Sequence, residues 1–120
     1  MLIGLAVSAR AQPFPNGPIS VVIPLAPGDA ADIAARAMGE EISRLLKTPV
    51  LAMNRPGAGG AVGASSVVQA RKDGQTILFA QNSALTFRAV LDPQSITYDA
   101  IRDGAARHRF AHAKRARRAE

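Results

Sequence analysis

An α/β fold built on a parallel βαβαβ unit is what this sequence predicts, and three observations carry the prediction. Short apolar runs recur as "ISVVIP", "VLAMN" and "TILFA". Stretches of helical length separate them, and the connections are short. Strands alternating with helices in this way pair in parallel through right-handed crossovers. Every strand-to-helix loop then lies on one rim, the carboxyl edge of the sheet, where open α/β sheets bind their ligands.

The first strand is read over 19–24, where β-branched residues run up to Pro24. "LAPGDA" is a turn. From Ala30 to Leu46 the apolar Ile33, Ala37, Met38, Ile42, Leu45 and Leu46 recur at helical spacing, opposite Asp32, Arg36, Glu40 and Arg44. That pattern predicts an amphipathic helix with Asp32 and Glu40 on its solvated side. "KTP" ends it, because the residue before proline avoids the α region. A second strand covers 50–54, and an Ala- and Ser-rich helix covers 61–71. Asp73 belongs to a D-G turn before the third strand, 76–80. A weaker helix starts near Asn82-Ser83, and the pattern fades after Asp92-Pro93.

The chain has 120 residues, room for one small domain, and 48% of them are hydrophobic. With no Trp, one Tyr and four Phe, its core must be aliphatic. The formal charge of +6 is unevenly placed: residues 104–120, "GAARHRFAHAKRARRAE", hold six of the fifteen basic side chains and one of the nine acidic ones. The body is close to neutral and only the tail is basic. Cysteine is absent, which excludes disulfides, thiolate metal sites and Cys nucleophiles. At the N-terminus, "LIGLAV" followed by Ala9-Arg10-Ala11 before Gln12 reads as the end of a secretory signal over residues 1–11, lacking its basic n-region. No run approaches the ~20 apolar residues of a membrane span.

"NRPGAGGAVGAS", residues 54–65, is the most unusual stretch. It is not a P-loop, because Gly60 is followed by Ala61-Val62 rather than Lys and Ser or Thr. Nor does it match the dinucleotide fingerprint: Gly63 stands one place late, and Phe79 occupies the region where an acidic residue is required. Both histidines lie in the tail, Ser65 and Ser66 lack a nucleophile-elbow setting, and no carboxylate pair is fixed by spacing. No catalytic residue, metal ligand or cofactor is therefore assigned. Two readings of the loop remain: a tight turn that only glycine can make, or a backbone surface whose N–H groups approach an anion.

The order "PFPNGPISVVIPLAPGDAADIAAR", "NRPGAGGAVGASSVVQARKDGQTILFA" and "NSAL…TYDAIRD" resembles the substrate receptors of tripartite tricarboxylate transporters, the Bug-type extracytoplasmic solute receptors. The likeness runs from Phe14 to Asp103, and N-R-P-G-A-G-G with a later D-G is its specific signature. The resemblance implies a periplasmic protein with a type II periplasmic binding fold, whose two lobes close on a small organic solute, commonly a carboxylate. It implies delivery to the membrane subunits of a tripartite transporter, and residues 12–103 as part of lobe one. It also implies ligand contacts from Leu25, Ala26, Gly28, Asp29 and Ala30 on the first loop, Gly57, Ala58, Gly59 and Gly60 on the second, and Gln81, Asn82 and Ser83 on the third.

The sequence departs from that family twice. Pro27-Gly28-Asp29 stands where the family has Pro-Gly-Gly, and Asp29 reads as an N-cap in a shortened capping box with Asp32. After Asp103 the likeness stops; the tail has the Ala/Arg/His bias of a shifted reading frame, and the chain reads as a receptor fragment. The alternative function is that of a small basic-tailed domain binding nucleic acid or an acidic partner without specificity. The tail supports no specific nucleic-acid recognition, since only Phe110 interleaves its charges.

Overall fold

The computed structural model describes residues 13–99 and 102–103. The signal reading over 1–11 and the basic tail over 104–120 lie outside the described residues.

The parallel α/β unit is present. Strand β1 (Ile19–Ile23) is followed by helix α1 (Ala30–Leu46), β2 (Val50–Asn54), a tight 3₁₀ turn (Ala58–Gly60) that leads into α2 (Ala61–Val68), and β3 (Thr76–Leu78). A single π-type turn (Ser83–Phe87) then runs into the short α3 (Arg88–Leu91), with a 3₁₀ turn at Pro93–Ser95. The sheet order is β2-β1-β3, both pairings parallel, with Val21 opposite Ala52 and Ile77. Phe79 N–H donates to Val22 O at 2.9 Å, carrying the ladder one residue past β3.

Being central, β1 is covered on both faces, which is why it reads as a continuous apolar run. Val21 and Ile23 pack with Ala35 of α1 and with Val50 and Ala52. On the other side, Ala61 and Ala64 of α2 meet Leu78, Leu85 and the buried Tyr98. Ile23 is fully buried, and burying such a side chain is worth about 1.5–3 kcal/mol.

Helix α1 corrects the sequence reading. Its inward face is Asp32, Ala35 and Gly39, whereas Ile33, Met38 and Leu45 are 61%, 51% and 70% exposed. Small residues win this face because the helix lies close to β2: a Cβ at Gly39 would stand 3.3 Å from Val50 Cγ1. Asp32, expected on the solvated side, is buried; Glu40 is exposed as read. The helix ends at Lys47, which adopts the left-handed conformation (φ 51°) and donates its N–H to Ser43 O. The D-G turn also forms, with Gln75 N–H on Asp73 Oδ1 at 3.0 Å and Gly74 at φ 82°. The second helix ends at Val68, short of residue 71, and the third strand at Leu78, short of residue 80.

Candidate functional site

The three loops after β1, β2 and β3 meet at the carboxyl edge, and their meeting point is tight. A Cβ on Gly60 would lie 2.5 Å from Ala84 Cβ and 3.5 Å from Pro24 Cβ, so residues from all three loops converge there. Gly63, one turn into α2, is held as closely: its Cβ would come within 2.8 Å of Pro24 Cβ and 2.9 Å of Arg55 O. Glycine at 60 and 63 thus serves packing. At 57, 59 and 60 it also serves conformation, because the backbone keeps positive φ through four successive residues: 130°, 47°, 63° and 97° from Gly57 to Gly60. Ala58 is the one L-residue in that run. Gly60 N–H closes the turn on Gly57 O at 2.9 Å. Gly57, Ala58 and Gly59 are exposed on the rim, and Gly60 is buried beneath it.

The first loop is held from inside. Asp29 caps α1, its Oδ1 accepting from Ala31 N–H at 3.0 Å, as read from the sequence. Its own N–H donates to Ala26 O at 3.3 Å. The capping box is not completed: Asp32 takes the amide of Gly28 at 2.9 Å instead of reaching Asp29. Gly28 has φ 87° and open space where a Cβ would stand. Ala30 is exposed as the first residue of α1, and Leu25 O accepts from Asn54 Nδ2 at 3.2 Å.

The third loop is set by Gln81 O, which accepts from Ala84 N–H at 3.3 Å, and by Asn82 Oδ1, which accepts from the Thr86 hydroxyl. Tyr98, arriving from the end of the described chain, donates its hydroxyl to Ala84 O. Gln81, Asn82 and Ser83 are exposed. Loop residues from all three groups are therefore brought to one rim.

The sequence reading missed the polar cluster behind the rim. Asp32, 3% exposed, accepts from Gly28 N–H, from Arg36 Nε at 3.0 Å and from Asn54 Nδ2 at 2.9 Å. Arg36 also donates to Asn54 Oδ1 at 2.7 Å. The Arg36 guanidinium, then the Gly28 and Asn54 amides, lower the Asp32 carboxyl from 3.8 to about 2, and the pairing raises Arg36. The available signal was the i,i+4 spacing of Asp32 and Arg36. Among the described residues, no group of three or more His, Cys, Asp or Glu is placed to hold a metal.

Two open grooves lie elsewhere. One, of about 390 Å³, runs between α1 and β2 along Arg36, Gly39, Glu40 and Ser43. The other, of about 410 Å³, sits at the opposite sheet edge, near Asn16, Asp73 and Gln75. Neither includes a rim-loop residue. At the rim, Gly57, Ala58, Gly59 and Gln81 to Ser83 present an exposed surface.

Known proteins share this arrangement. Residues 34–112 match the family described as the tripartite tricarboxylate transporter family receptor, a family of solute receptors rather than enzymes. A UPF0065 protein of Bordetella bronchiseptica is 39% identical over 104 residues, covering 86% of this chain and 31% of the relative. BugT of Bordetella pertussis is 32% identical over 100 residues, covering 83% and 31%. Among solved structures, a periplasmic transporter superposes with a TM-score of 0.71 at 37% identity, covering 74% of this chain and 30% of that one. MatC of Rhodopseudomonas palustris, with bound malate, gives 0.70 at 31% identity, covering 75% and 30%. The chain spans about a third of the length of the curated relatives it matches. On the family match and these relatives together, the chain belongs to the tripartite tricarboxylate transporter receptor family.

Proposed function

We propose that the carboxyl-edge rim is one wall of a solute site for a small carboxylate, and that the solute is passed in the periplasm to the membrane subunits of a tripartite transporter. The observation that carries the reading is the positive-φ run at Gly57–Gly60, whose first three residues are exposed beside the third loop ahead of α2. Backbone amides at a helix start favour an anion without any charged side chain. The malate held by MatC supports the same ligand class. Periplasmic relatives support the location, and residues 1–11 are then a signal removed before Gln12.

The first loop narrows the ligand. The half-buried Asp29 holds a carboxylate at the rim, where it disfavours a second anion and favours a neutral or cationic group. The solute proposed therefore has a carboxylate for the glycine loop and an uncharged or cationic end toward Asp29. Calorimetry tests this on a receptor in which this chain is completed by the remaining part of a relative. Malate monoamide should bind more tightly than malate. Equal binding, or preference for the dianion, contradicts the assignment.

A further inference from the structure

The cluster of buried Asp32, half-buried Asn54 and exposed Arg36 joins two rim loops. Asn54 is the last residue of β2 and directly precedes the Arg55-Pro56-Gly57 entry to the glycine loop. Its side chain donates both to Asp32 Oδ1 at 2.9 Å and to Leu25 O at 3.2 Å, and accepts from Arg36. The other Asp32 oxygen, Oδ2, holds Gly28 N–H at 2.9 Å. One carboxylate thus fixes the far end of the first loop directly and its near end through Asn54. It also fixes the residue from which the second loop departs.

We propose that Asp32 is a positioning residue for the solute site, setting the first and second rim loops relative to each other and withdrawing the Gly28 amide from the solute. The proposal rests on the solute rim described above. The same accounting covers the neighbouring first-loop amides: that of Asp29 goes to Ala26 O and that of Ala31 to Asp29. Three donors of this loop and the start of α1 are thereby engaged internally. Deleting the carboxylate takes the acceptor from Gly28 N–H and from Asn54 Nδ2 together. Asp32 touches no solute in this account and acts through Gly28 and Asn54.

Amide exchange and amide chemical shifts on the isotope-labelled 120-residue chain test it, with malate monoamide as the probe. In Asp32→Ala, Gly28 exchange should rise about tenfold or more, as expected for loss of a hydrogen bond to a charged acceptor. Amides at Asn54 to Gly57 should shift with it, while Val21 to Ile23 stay protected. Asp32→Asn keeps the volume and one acceptor; its Gly28 exchange should rise less, but still severalfold. Should the alanine variant fail to fold, the asparagine variant decides. Unchanged Gly28 exchange in a folded variant overturns the proposal. So does a wild-type Gly28 amide that responds to the monoamide as strongly as Gly59. On the receptor completed by the remaining part of a relative, a monoamide that shifts no rim amide removes the solute assignment, and with it the role of Asp32 at a solute site. Rapid Gly28 exchange in the variants would then still mark Asp32 as the residue holding the loops.

Discussion

Replacing Gly60 by alanine separates the two demands that the structure places on this position. The backbone there has φ 97°, which costs an L-residue about 1–3 kcal/mol. The added methyl would also stand 2.5 Å from Ala84 Cβ, where carbon atoms rest at roughly 3.5–4.0 Å. Relieving such a clash by shifting the third loop costs about 1–3 kcal/mol. Gly60→Ala should therefore destabilise the chain by about 2–6 kcal/mol, a large share of the 5–15 kcal/mol typical of a small domain. Ala84→Gly removes one of the colliding methyls and leaves the φ penalty alone. Urea unfolding of the wild type, both single variants and the double variant forms a cycle. The double variant should recover about 1–3 kcal/mol relative to the sum of the singles. Strict additivity would mean that the second and third loops do not meet at Gly60, and the convergent rim would lose its keystone.

The Asp32 carboxyl is lowered to about 2 in the fold, below its ordinary 3.8, so its contribution to stability is present above about pH 4 and is lost as the pH falls toward 2. Acid unfolding of Asp32→Asn should accordingly be less steep over that window than that of the wild type. Tyr98→Phe takes the hydroxyl from Ala84 O and should cost about 1–2 kcal/mol, read as a lowered urea midpoint with an unchanged slope. Asp29→Gly should leave stability within a few tenths of a kcal/mol, because glycine is a tolerable N-cap. On a completed receptor the same change should raise malate affinity by up to about a thousandfold, the worth of relieving two like charges ~4 Å apart, and unchanged affinity in calorimetry would remove Asp29 from the site.

The strands were legible because β1 is buried on both faces and its "ISVVI" run can only be central in such a sheet. The rim followed from the topology, since parallel strands put their following loops on one edge. The glycine loop was legible as a place, while its division into packing at Gly60 and Gly63 and conformation at Gly57 and Gly59 needed the neighbours from other loops. Helix α1 was misread for an instructive reason. Periodicity ranks residues by hydrophobicity, but this face is chosen by closeness, which small Ala35 and Gly39 permit and Ile33 or Met38 would not. Asp32 was hidden for the same reason, since its partners Gly28 and Asn54 lie on two other segments and only the fold makes a buried carboxylate affordable.

The central claim is that a carboxylate solute meets the backbone of the carboxyl-edge loops. Amide shift mapping of the isotope-labelled chain during titration with malate monoamide tests it most directly. The largest shifts should fall on Gly57 to Gly60 and on Gln81 to Ser83, with Asn16, Asp73 and Gln75 at the opposite edge unmoved. Shifts centred on that opposite edge, or on the groove along Gly39 and Ser43, would contradict the account.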